Sequence, residues 1–268
     1  MPKAVEHAPI NSSRLGRFLA ELGLATTAMP ARDFADKLGQ LIDLSGSITL
    51  SEALRGLRRV TAQPADSAGI EPRQRFMACR AEIINAVCSS FTLDADAVTQ
   101  GRASFILPAP NADTFGEDAA GYQPYQRFYA LHQSEMDHRI LALRAELRKV
   151  LSRRSDTLAK LAALDATLAD SLADYSRRGL AVIPKLLAQH FFGLREAHRQ
   201  HLAESADSDG AEQWLQAGGW LAQFHQDMQS LLLAELALRL QPAQGLLEAL
   251  EAEQGAHTTV AAHNEDIA

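Results

Sequence analysis

Ile140–Tyr175 reads ILALRAELRKVLSRRSDTLAKLAALDATLADSLADY, and the spacing of its apolar residues decides the fold. Ile140, Leu143, Leu147 and Val150 alternate steps of three and four, and Leu161, Leu164, Leu168 and Tyr175 continue the same register. A 3-4 stripe keeps apolar side chains on one side of a helix, where they bury against a second helix. Arg154, Thr157 and Ser171 also fall on the seam and weaken it, and Ser155 with Asp156 marks the place for a bend or tight turn.

Downstream, Gly179 and Pro184 predict a second break, because proline removes a helix hydrogen bond. Leu187, Phe191 and Leu194 then resume the stripe to about Leu202, and SADSDG at 205–210 reads as a loop. A last helix pair follows, from Trp214 to Leu240 with a disturbance at Gly218 and Gly219, and from Ala243 to Glu253 after Pro242. The tail from Gly255 has no apolar stripe and is expected to be disordered.

Upstream the elements are shorter. Ser12 or Ser13 caps a first helix with Leu15, Phe18, Leu19 and Leu22, ending near Gly23. A second is expected over about 31–44, on Phe34, Leu38, Leu41 and Ile42, with Gly46 interrupting. Thr49 and Glu52 then form a capping-box signature before Leu54 and Leu57. TAQPADSAGIE at 61–71 reads as a linker, and Pro72 starts a helix carrying Phe76, Cys79, Ile83 and Val87. The proline- and glycine-rich stretch at 107–124 is the best candidate boundary.

The resulting expectation is an all-α fold: an elongated antiparallel helical bundle with long, kinked, coiled-coil-like helices. Residues 12–106 form a small helical region, 107–124 a loop or linker, 125–254 the long-helix bundle and 255–268 the tail. The core is expected to include Leu143, Leu147, Val150, Leu161, Leu164, Leu168, Leu187, Phe191, Leu221, Phe224, Met228 and Leu232. Composition agrees, since Ala and Leu fill about a third of the chain while the best strand formers are sparse.

Net charge −7 argues against generic nucleic-acid binding unless a local basic patch overrides it. Met1–Ser13 shows no secretory signal, and Leu231–Leu240, broken by Glu235 and Arg239, is too short to span a bilayer. Cys79 and Cys88, ~13 Å apart if on one helix, read as buried thiols in a reducing compartment. The expected location is the cytoplasm.

Four chemistries compete for these helices. Glu135 with His138 has the Glu-x-x-His spacing of di-iron bundles, and His198 with His201 is a second i,i+3 pair. The second Glu-x-x-His and further inward glutamates are missing, so no metal ligand and no cofactor is assigned. Polar side chains facing water along a long helix explain these residues more simply. Nucleic acid could be met by the basic run Arg139 to Lys160, above all Arg144, Arg148 and Arg153. At 100° per residue these charges scatter around the helix, as a solvated face would. No nucleophile motif points to catalysis. The leading expectation is a non-enzymatic scaffold or adaptor, or a homo-oligomer, using the seam Ile140, Leu143, Leu147, Val150, Leu161, Leu164 and Leu168 for protein–protein contact.

Several segments carry a resemblance. LAKLAALDATLADSL and LAVIPKLLAQHF within 153–191, LLLAELALRLQP at 231–242, GLLEAL at 245–250 and DFADKLGQLIDLSGSITLSEAL at 33–54 resemble an uncharacterised proteobacterial family of Ala/Leu-rich helical proteins. Its members are encoded near MotA/TolQ/ExbB-type proton channels and OmpA-like proteins. The resemblance implies a bacterial cytoplasmic accessory of a proton-channel assembly, with a membrane channel component as possible partner and no membrane insertion of its own. It transfers no catalytic or binding residue.

Overall fold

The computed structural model describes residues 14–23, 44–63, 71–91, 105–110, 114, 119–204 and 210–265, and these are predominantly helical with no strand. The principal helices are α1 (Arg14–Glu21), α2 (Leu44–Gly56), α3 (Pro72–Ser90), α4 (Gln123–Arg154), α5 (Asp156–Leu180), α6 (Ile183–Glu204), α7 (Ala211–Trp214), α8 (Trp220–Arg239) and α9 (Gln241–Glu265). The all-α expectation holds. The helix foreseen over about 31–44 lies, for the most part, outside the described residues, as do the Ser12 and Ser13 caps and most of the 205–210 loop.

The breaks have local causes. Ser155 interrupts the seam helix for one residue: its hydroxyl accepts from Leu158 N at 3.2 Å and its carbonyl from Ala159 N at 2.8 Å, which starts α5. Pro184 sits in the first turn of α6, where no intrahelical N–H is needed, after a turn at Ala181 and Val182. The Tyr122 hydroxyl donates to its carbonyl at 2.6 Å. Gly23 ends α1 in the left-handed region, as a C-terminal glycine does.

Other expectations are corrected. Gly46 does not interrupt a helix; α2 begins at Leu44 and runs through it, so Thr49 and Glu52 lie inside α2 rather than capping it. Pro124 belongs to the first turn of α4, and the α9 backbone stays helical through Glu265, well past Gly255. Cys79 is buried but Cys88 is exposed, and both thiols are free.

The chain forms two compact units, each assembled from three separate stretches. The first comprises Met1–Ala31, Glu82–Asp137 and Arg178–Leu238; the second comprises Arg32–Ala81, His138–Arg177 and Arg239–Ala268. Because α4 gives its first half to one unit and its second half to the other, chain order does not mark them.

The first unit is centred on α8, which buries Leu221, Phe224, Met228, Leu231, Leu232, Ala234 and Leu236 and leaves Gln223, Gln226 and Ala237 exposed on one side. Around it an aromatic cluster closes: the Phe191 and Phe224 rings meet edge to face at 5.0 Å, Tyr125 and Phe224 at 5.4 Å, and Phe191 and Trp220 at 5.4 Å. In the second unit, Phe76, Cys79, Ile140, Leu143, Leu147, Leu151, Leu158, Ala159, Ala162, Ala243, Leu246 and Leu250 are buried.

Candidate interaction seam

The seam residues divide into two groups. On α4, Ile140, Leu143 and Leu147 are buried inside the second unit. Val150 is only half-buried, and Leu151 takes its place in the core. The i+4 step from Leu147 to Leu151 follows the straight-helix period more closely than a strict heptad does.

On α5 the register changes sides. The buried residues there are Leu158, Ala159 and Ala162, whereas Leu161, Leu164 and Leu168 are half-buried and Tyr175 is 47% exposed. The expectation that these three leucines form core is therefore corrected. Small alanines let α5 approach its neighbours along the 158–162 side, and the leucine stripe is left on the flank.

The α4–α5 hairpin also takes up part of the basic run. Arg144 donates to Asp165 at 2.6 Å with both side chains 14% exposed, and Arg148 Nε lies 3.7 Å from the other carboxylate oxygen. Arg144 and Asp165 stand almost equally far on either side of Ser155, which makes the two helices antiparallel. Elsewhere, Arg75 pairs with Glu146 at 2.8 Å, and Asp156 accepts from Ala62 N at 2.7 Å. The Ser155 hydroxyl donates to Glu253 on α9. Of the three arginines proposed for nucleic acid, Arg153 alone is exposed.

The histidine pairs do not converge. His138 and His201 are exposed, while His198 stacks on Trp220 at 6.2 Å. Among the described residues, no group of three or more His, Cys, Asp or Glu side chains is placed to hold a metal ion.

Sequence reasoning missed the buried polar groups of the first unit. Glu235 is fully buried; it accepts from the Tyr129 hydroxyl at 2.8 Å and from Gln133 Nε2 at 3.0 Å. Its position inside the apolar run LLLAELALRL, opposite a Tyr and a Gln one turn apart on α4, was the available signal. His190 Nε2 meets Asp227 at 2.8 Å, and Gln223 Nε2 donates to the same carboxylate at 2.9 Å.

Two more imidazoles are enclosed by rings. His132 lies 4.7 Å from Phe128, 4.9 Å from Phe105 and 6.5 Å from Phe91, and His225 lies 5.4 Å from Tyr125. Burial pushes each down to about 4, with Glu135 opposing the effect at His132, and each Nε2 lacks a hydrogen-bond partner. Burial likewise pushes the Tyr122 and Tyr125 phenols up. These groups are sealed among rings, an arrangement suited to specifying the packing of the unit.

Among the described residues no helix is long and apolar enough to cross a membrane. No curated protein and no solved structure matches the chain. A family model matches residues 1–252, and the chain belongs to that family, described as protein of unknown function (DUF3348).

Proposed function

We propose that the protein is a non-enzymatic helical scaffold or adaptor that acts by protein–protein contact through the α5 seam. One observation carries this reading: the apolar stripe is used up inside the second unit along α4, but stays half-open at Leu161, Leu164, Leu168 and Tyr175 along α5. A leucine stripe left at the surface gains by burial against a partner, roughly 1.5–3 kcal/mol for a side chain fully exposed beforehand and less for these. Asp165 engages Arg144 and Arg148, which weakens the competing reading of that run as a phosphate-binding surface.

The finer form of the proposal makes the protein a cytoplasmic accessory of a proton-channel assembly. It rests on the resemblance to proteins encoded beside such channels. The partner surface would then be a part of the channel outside the lipid, since Lys160 flanks the α5 stripe and suits an aqueous helix–helix contact. Affinity purification from the native host, followed by mass spectrometry, tests the proposal. Recovery of a channel component by the native chain and its loss with Leu164→Lys supports it; reproducible recovery of no protein overturns it.

A further inference from the structure

Within the second unit, exposed cations gather where the α4–α5 hairpin turns. Lys149, Arg153 and Arg154 lie in the last turns of α4 and are exposed. A helix C-terminus favours cations by itself, which accounts for these three. It does not account for Arg58 and Arg59, which are exposed in the short 3-10 turn Leu57–Arg59 after α2. The fold carries that turn to the hairpin. Gln63 N donates to the Ser152 carbonyl at 3.0 Å and Ala62 N to the Asp156 carboxylate at 2.7 Å, a contact across 94 residues. Arg59 stands three residues before Ala62, so their Cα atoms are at most about 11 Å apart.

None of these five cations has an ion pair or hydrogen bond from its side chain among the described residues. The nearby carboxylates are engaged elsewhere: Asp156 accepts from Ala62 N, Glu253 from Ser155, Glu146 from Arg75 and Glu251 from Arg73. Five cations against Asp156 and Glu253 leave three positive charges, in a chain whose net charge is −7. At physiological salt, acidic groups more than about 8 Å from a contact are screened, so an anionic surface can settle on this tip.

The helix leading into the tip narrows the choice of surface. On α2, Ile48 is 53% and Leu54 49% exposed, about 120° apart around the helix. Ser47, Ser51 and Arg55 fall in the arc between them, and Glu52 falls outside it. The Ser51 hydroxyl donates to the Ser47 carbonyl at 2.8 Å, so it brings no unmet donor to an interface. Nucleic-acid phosphates would use the arginines and leave Ile48 and Leu54 wet. A partner helix would need a continuous apolar stripe, which an isoleucine and a leucine separated by Arg55 do not make. A headgroup layer suits both kinds of side chain, since phosphates meet the cations while single apolar side chains enter the boundary with the acyl chains.

We propose that the tip formed by α2, the Leu57–Arg59 turn and the α4–α5 junction docks on anionic phospholipid headgroups, with Arg58, Arg59, Lys149, Arg153 and Arg154 at the phosphates and Ile48 and Leu54 among the headgroups. The chain lies on the bilayer there without crossing it. This contact is separate from the α5 seam and stands or falls without it.

Co-sedimentation of the full chain with vesicles tests the proposal, with circular dichroism confirming that each variant keeps its helices. Binding is expected to phosphatidylcholine vesicles containing about 30% phosphatidylglycerol, but not to phosphatidylcholine alone, and about 0.5 M salt should release it. Arg58→Gln/Arg59→Gln and Arg153→Gln/Arg154→Gln should each weaken binding about thirtyfold. Leu54→Ser should weaken it about fivefold with the salt dependence unchanged. Leu164→Lys, which alters the α5 seam, should leave it as it is. Equal binding to neutral vesicles, no binding to anionic ones, or arginine variants that bind like the native chain overturns the proposal. So does loss of binding with Leu164→Lys, which moves the contact to α5. Retention of an oligonucleotide through the same arginines, with anionic vesicles ignored, overturns the lipid assignment in favour of nucleic acid.

Discussion

Lowering the pH from 7 to 5 should weaken the native state through His132 and His225. Both rings are buried among aromatic side chains, both leave Nε2 without a partner, and both are held down to about 4 from an ordinary 6.5. Above pH 6.5 the rings are neutral whether the chain is folded or not, so they add no pH dependence. Between 6.5 and about 4 the unfolded chain takes up protons that the folded chain refuses, and stability falls with pH. Below about 4 both forms are protonated and the loss levels off. At pH 5 the linkage amounts to about 2 kcal/mol for each ring, or about 4 kcal/mol for both. That is a large part of the 5–15 kcal/mol that typically separates native from unfolded chains. Urea unfolding at pH 7 and pH 5 measures it, comparing the native chain with the His132→Leu/His225→Leu variant. The native midpoint should drop clearly while the variant's stays nearly level. Parallel drops in both proteins, or imidazole proton resonances that titrate near 6.5 in the folded state, would refute the reasoning.

Asp165→Ala strips the counter-charge from Arg144 and Arg148 while both remain half-buried, and should cost about 1–3 kcal/mol in urea or thermal unfolding. Glu235→Ala leaves the Tyr129 hydroxyl and Gln133 amide beside a void, so a loss of about 3 kcal/mol is expected; Tyr129→Phe should lose about 1 kcal/mol. At Gly219 a Cβ would run into the Trp214 carbonyl, and Gly218 holds φ at +87°, where a side chain is strained. Gly219→Ala should therefore lower the melting temperature more than Gly218→Ala, whose strain costs about 1 kcal/mol.

Much of the local structure was legible because its causes are local. Ser155 could be read as a break since a hydroxyl that caps α5 needs no distant partner, and Gly23 and Pro184 work through their own backbone preferences. The helical period is equally local, and it located the seam along α4. It failed where burial departs from one stripe: α8 is buried over most of its circumference, so a polar Glu235 within it looked like an interruption and not like the centre of a hydrogen-bond cluster. Gly46 misled for the opposite reason. A glycine inside a helix costs only about 1 kcal/mol, and α2 runs through it.

The amino-acid sequence by itself determined that the chain is helical, that its long helices break at Ser155 and near Pro184, and that apolar residues recur every three or four positions between Ile140 and Tyr175. Periodicity, caps and prolines act within a turn or two, so they are written in adjacent residues. Only the tertiary structure decided that Leu151 displaces Val150 from the core, that Asp165 gathers Arg144 and Arg148, and that α5 turns its alanines inward. A stripe shows which side of a helix is apolar, but how much of it is covered depends on the neighbours that surround that helix. On α5 they cover Leu158, Ala159 and Ala162 and leave Leu161, Leu164 and Leu168 at the rim, because close approach of backbones is set by the smallest side chains present.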